Sequence, residues 1–167
     1  PAQLAAARRQ IEQALAEQQQ AGLAADARAA LDRIAPCIRV SDALTDAAWV
    51  QENLPEEVAI KRTAFAELDR LASPDAILAS STSAIVASHF TADLAGRARC
   101  LVVHPVNPPH LVPVVELCGA PWTSEATLDR ARITMTSLGQ VPIVVRREID
   151  GFVLNRLQGA LLSEAMR

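Results

Sequence analysis

The apolar positions of this chain change their spacing several times. Over residues 2 to 34 they recur at Leu4, Ala7, Ile11 and Leu15, then at Leu23, Ala27, Ala30 and Ile34. Steps of three or four place them on one side of a helix, so two helices broken near Gly22 are expected. Cys37 to Val40 reads as a short β-like stretch. Ser41 or Thr45 then opens a helical turn, and Ala48 to Leu54 is strand-like. Pro55 suits a first helical position, where its missing N–H has no partner to lose, and Glu56 and Glu57 suit the positive end of the helix dipole. The expected helix carries Val58, Phe65, Leu68 and Leu71 on or near one face.

The alternation then repeats. Ala76 to Ala79 reads as a strand, followed by a Ser/Thr turn and a short helix from Ala84. Strands Cys100 to Val103 and Val114 to Cys118 flank a loop bent by prolines. A helix from Ser124 to Leu138, ended by Gly139, leads to a strand from Pro142 to Arg146 and an amphipathic helix from Phe152 onwards. Continuous β-branched strands alternating with helices predict an α/β fold with a mainly parallel, helix-covered sheet. The segment RREIDG, residues 146–151, is the one break in composition and reads as a hinge.

Composition narrows the function. The chain has 167 residues and half are apolar, enough for a stable core. With 16 basic and 19 acidic side chains the net charge is −3, which leaves no basic footprint for nucleic acid or an anionic membrane. The apolar runs fall well short of the roughly 20 residues of a membrane helix, and no basic, apolar leader is present, so a cytoplasmic protein is expected. Three cysteines without a C-x-x-C pair predict buried reduced thiols instead of disulfides or a zinc ribbon. The absence of tyrosine removes any Tyr–Lys mechanism, and Lys61 is the single lysine. A chain that opens on Pro1 also reads as part of a longer protein.

Four stretches can carry chemistry. The turn A-S-S-T-S, residues 79–83, follows a predicted strand, where ligands of open α/β sheets collect, although Ser81, Thr82 or Ser83 could equally cap the next helix. His104 and Glu116 lie on the two strands that flank the PVNPPHLVP loop. A carboxylate within reach would orient the ring and raise its basicity, as a general base requires; the alternatives are a satisfied core histidine, or a metal site of His104, His110 and Glu116. In I-D-G-F-V-L-N-R, residues 149–156, Asn155 starts a helix and could simply be solvated. Glu56 and Lys61, near a strand end, could be an exposed helix pair.

Taken together, Ser81-Thr82-Ser83, His104-Pro105-Val106-Asn107-Pro108, Glu116 and Gly151-Phe152-Val153-Leu154-Asn155-Arg156 resemble the 3-hydroxyacyl-CoA dehydrogenase family from about residue 37 onwards. HPVNPP and VVELC resemble its lambda-crystallin and L-gulonate 3-dehydrogenase branch, since the acyl-CoA enzymes usually carry two aromatic residues after the histidine. The resemblance implies a Rossmann-like, NAD-dependent oxidation of the 3-hydroxyl of an L-3-hydroxyacyl-CoA or a small, gulonate-like L-3-hydroxy acid. His104 would be the base, Glu116 its orienting partner, and Ser83 and Asn155 the donors to the substrate oxygen. Glu56, Lys61, Ser83 and Asn107 would contact the NAD ribose and nicotinamide. It further implies a partial NAD-binding domain over residues 1–148, the start of a helical dimerisation and substrate domain over 149–167, and a homodimer when full length. The family's G-x-G-x-x-G is absent, so the chain reads as an interior segment without the elements for tight NAD binding. A non-catalytic, crystallin-like protein that keeps the fold remains the alternative, and a metal-dependent hydrolase a third reading.

Overall fold

The computed structural model describes residues 2–167 and divides into two compact units, 1–45 and 46–167. In the first, helix α1 (Ala2–Gln20) ends at Gly22, whose φ of +73° lets the chain turn into α2 (Ala27–Asp32). Asp26 caps α2 by accepting the Ala29 N–H at 2.8 Å, and Gln19 takes the Ala27 N–H at 2.7 Å. The β-like stretch expected at Cys37 to Val40 is not a strand. With no neighbouring strand paired to it, Val40 instead begins a single helical turn, α3 (Val40–Ala43).

The second unit is the expected α/β arrangement. Strands β1 (Trp49–Glu52), β2 (Ile77–Ser80), β3 (Cys100–Pro105), β4 (Val114–Gly119) and β5 (Val141–Val145) form one sheet in sequence order. β1, β2 and β3 run parallel, β4 is antiparallel to β3, and β5 is parallel to β4. Parallel neighbours need crossovers, and helices α4 (Val58–Leu71), α5 (Ser88–Thr91) and α6 (Glu125–Ser137) lie within them. The final helix is α7 (Leu154–Ala165).

Strand alternation sorts the core into two faces. Ile77, Ala79, Leu101, Val103, Val115 and Leu117 cluster with Ala131 and Met135 of α6. On the other face α4 buries Lys61, Phe65 and Leu68, positions i, i+4 and i+7 of one stripe. Phe65 packs against Phe90 of α5 with ring centroids 4.7 Å apart and the rings tilted by 55°, and burying each of these rings contributes about 2 kcal/mol.

Two helix starts differ from expectation. α4 begins at Val58, not Pro55, because Glu56 is drawn away to another partner and Glu57 stands at the cap. The helix expected from Ala84 is reduced to Ser88–Thr91, since the N–H groups of residues 83–85 are also taken up elsewhere. Cys100 and Cys118 are buried free thiols, both pushed up to about 12, chiefly by burial; Cys37 is only half-buried.

Candidate active site

The register brings the site together. Glu52 pairs with Ser80 and Ser80 with Val102, which places all three on one face of the sheet, at or near the carboxyl ends of β1, β2 and β3. His104, two residues beyond Val102, lies on the same face and pairs with Glu116 directly across the antiparallel ladder. The twelve-residue separation is therefore the length of one strand-loop-strand return.

His104 Nδ1 and Glu116 Oε2 are 2.9 Å apart, and the residues are 5% and 1% exposed. Facing an ionised carboxylate, which only accepts, Nδ1 is the nitrogen that carries the proton of this bond, and Nε2 is left without a partner in the carboxylate. The other oxygen, Oε1, accepts the N–H groups of Val153 and Leu154 at 2.8 and 3.0 Å, where α7 begins. These N–H groups have no carbonyl within the helix, and the negative charge suits the positive end of its dipole. Phe152 is fully buried with its ring 5.7 Å from the imidazole, at an unusual φ of +49°.

Asn155 extends the linkage. Its Nδ2 donates to the Ser83 carbonyl at 2.7 Å, and the Gly151 N–H donates to the Ala84 carbonyl at 3.2 Å. One amide hydrogen of Asn155 is left over, and the exposed Ser83 hydroxyl has no partner among the described residues. Four of the expected residues, His104, Glu116, Asn155 and Ser83, thus form one connected group.

On the other side of the Ser/Thr turn lies a second network. Lys61, 1% exposed, donates to both oxygens of Glu52 at 3.1 and 3.0 Å, and the Ser80 hydroxyl donates to Glu52 at 2.5 Å. Lys61 is therefore no exposed helix partner: its ammonium is a buried countercharge, with Glu56 Oε2 at 3.8 Å. Glu56 Oε1 accepts the Thr82 hydroxyl and the N–H groups of Ser83, Ala84 and Ile85. Burial pushes this carboxyl up, but the Thr82, Ala84 and Ile85 donors and the Lys61 charge outweigh it, holding Glu56 below the ordinary value. Asn107 is exposed in the loop after β3, and no hydrogen bond ties its side chain to the group among the described residues. His110 is exposed in the same loop, and no cluster of three potential metal ligands occurs among the described residues.

Glu52 and Phe152 were missed from sequence. A carboxylate ending a strand, nine residues before the only lysine, was the available signal for Glu52; a positive φ at a phenylalanine leaves no mark in the pattern. Ser83 and Asn107 lie just past the carboxyl ends of β2 and β3, where ligands of open α/β sheets bind, so polar groups that fit a nucleotide cofactor stand at that edge. None of the six glycines falls in a G-x-G-x-x-G run, so these 167 residues hold no such pyrophosphate cradle.

Comparison with known proteins agrees with this fold. Residues 1–149 match the model of the 3-hydroxyacyl-CoA dehydrogenase, NAD binding domain. Lambda-crystallin of Oryctolagus cuniculus is 41% identical over all of this chain and 53% of its own length. L-carnitine dehydrogenase of Burkholderia mallei is 40% identical over 95% of this chain and 49% of its own. The crystal structure of M. tuberculosis FadB2 superposes with a TM-score of 0.90 at 32% identity, covering 100% of this chain and 59% of that one. The chain spans about half the length of the curated relatives it matches. It belongs to the 3-hydroxyacyl-CoA dehydrogenase family and forms part of that family's Rossmann-like NAD-binding domain.

Proposed function

We propose that the chain carries the base and the nicotinamide end of an NAD-dependent dehydrogenase that oxidises the 3-hydroxyl of a small L-3-hydroxy acid, or of its CoA thioester, to the 3-keto product. The observation that carries this reading is the buried His104–Glu116 pair, whose carboxylate also holds the segment bearing Asn155.

Nε2 of His104 would accept the hydroxyl proton, and the imidazolium so formed would lie against the Glu116 carboxylate. The Ser83 hydroxyl and the free amide hydrogen of Asn155 would donate to the oxygen as it becomes a carbonyl. NAD, when bound, supplies the acceptor for the hydride that leaves C3. Ser83 and Asn107 would border the nicotinamide and ribose, with Lys61 and Glu56 behind them. Residues 149–167 would begin the helical domain of a cytoplasmic homodimer.

The missing aromatic pair after His104 favours a free acid over an acyl-CoA of fatty-acid metabolism, and the similarity to an L-carnitine dehydrogenase points the same way. In the full-length protein, His104→Gln should lower NADH formation by about 10²-fold or more, the usual contribution of a positioned base. Activity near wild type would remove the role. Higher kcat/KM for L-gulonate or L-carnitine than for acetoacetyl-CoA in the reverse direction would fix the substrate class. Full-length protein that takes up no NADH in a fluorescence titration would favour the crystallin-like, non-catalytic reading.

A further inference from the structure

The backbone from Thr82 to Ile85 leaves β2 without entering a helix, so its successive N–H groups have no carbonyls one turn back to meet. One carboxylate oxygen takes their place. Glu56 Oε1 accepts from Ser83, Ala84 and Ile85 at 3.1, 3.0 and 3.4 Å, and from the Thr82 hydroxyl as well. Its second oxygen is turned to the Lys61 ammonium at 3.8 Å.

The Ser83–Ala84 peptide is consequently held at both ends. Its N–H, on Ala84, donates to Glu56, while its carbonyl, on Ser83, accepts from Asn155 at 2.7 Å. Donation and acceptance across one peptide reinforce each other.

We propose that Glu56 is a positioning residue, which shapes the Thr82–Ile85 turn so that Ser83 meets Asn155. The functional consequence rests on the dehydrogenase reading; the clamp itself does not. Glu52 reaches the same turn through Ser80, whose hydroxyl accepts the Thr82 N–H at 3.2 Å, so the turn keeps one anchor when Glu56 is removed. The protein should therefore still fold.

Glu56→Ala and Glu56→Gln in the full-length protein separate the possibilities through amide exchange, steady-state kinetics and NADH titration. Glu56→Ala should raise exchange at residues 83–85 by about tenfold and lower kcat by about tenfold. Glu56→Gln, which keeps one acceptor oxygen, should fall between. Unchanged exchange would overturn the clamp, and so would a weakened NADH Kd with kcat intact, the mark of a ribose ligand. A wild type that turns over no 3-hydroxy acid would remove the dehydrogenase reading, while exchange at 83–85 would still decide for or against the clamp.

Discussion

Glu116 Oε2 meets the imidazole N–H of His104, and Oε1 meets the N–H groups of Val153 and Leu154. Three donors converge on one buried carboxylate, so an amide in its place must turn its NH2 towards one of them. Either the imidazole loses its acceptor and with it the fixed tautomer, or two N–H groups at the start of α7 face a donor. Leaving a buried donor unsatisfied costs about 1–3 kcal/mol. Glu116→Gln should therefore lower the stability of the full-length protein by that amount in urea unfolding and reduce NADH formation on the order of 10²-fold. Wild-type turnover in a stable variant would show that the carboxylate does not orient the base.

At the scale of elements, the N-terminal end of α7 is held by its own backbone geometry as well as by Glu116. Gly151 has φ +75° and its N–H reaches the Ala84 carbonyl, while Phe152 follows at φ +49° with its ring against His104. A side chain at Gly151 costs about 1–2 kcal/mol in this left-handed conformation. Gly151→Ala should lower the thermal midpoint accordingly and reduce kcat by moving Asn155 away from Ser83. A kcat equal to wild type would separate the two effects.

This element also shows what was legible in the sequence. β2, β3, β4 and α6 were readable because each buries a continuous or periodic apolar set. Gly151, Glu116 and Asn155 were found by their order along the chain, yet only the register of β3 against β4 shows that His104 and Glu116 are opposite each other. Glu56 was read as the start of a helix because an acid after Pro55 normally favours one. Its capture by the turn after β2 is a contact across 26 to 29 residues, to which local periodicity is blind. The alternative of an exposed Glu56–Lys61 pair could not be set aside from sequence for the same reason: the countercharge of Lys61, Glu52, lies on a different element.

Across the second unit, hydrogen bonds run from the Lys61–Glu52 pair through Ser80 and the Ser/Thr turn to Asn155, and on through the start of α7 to Glu116 and His104. Part of this chain depends on pH. Glu56 is held below 4.5, the ordinary value for a glutamate. A carboxyl lowered in the folded state binds protons more tightly when unfolded, so its stabilisation is complete above the unfolded value and fades as pH falls through the folded one. In the full-length protein, the difference in stability between wild type and Glu56→Gln should hold steady from neutral pH to near 4.5 and shrink below it. Urea unfolding of both proteins down to about pH 3 measures that difference. A gap that stays constant through this range would mean that the Glu56 charge contributes nothing to holding the turn, leaving its hydrogen-bond acceptor alone as the cause.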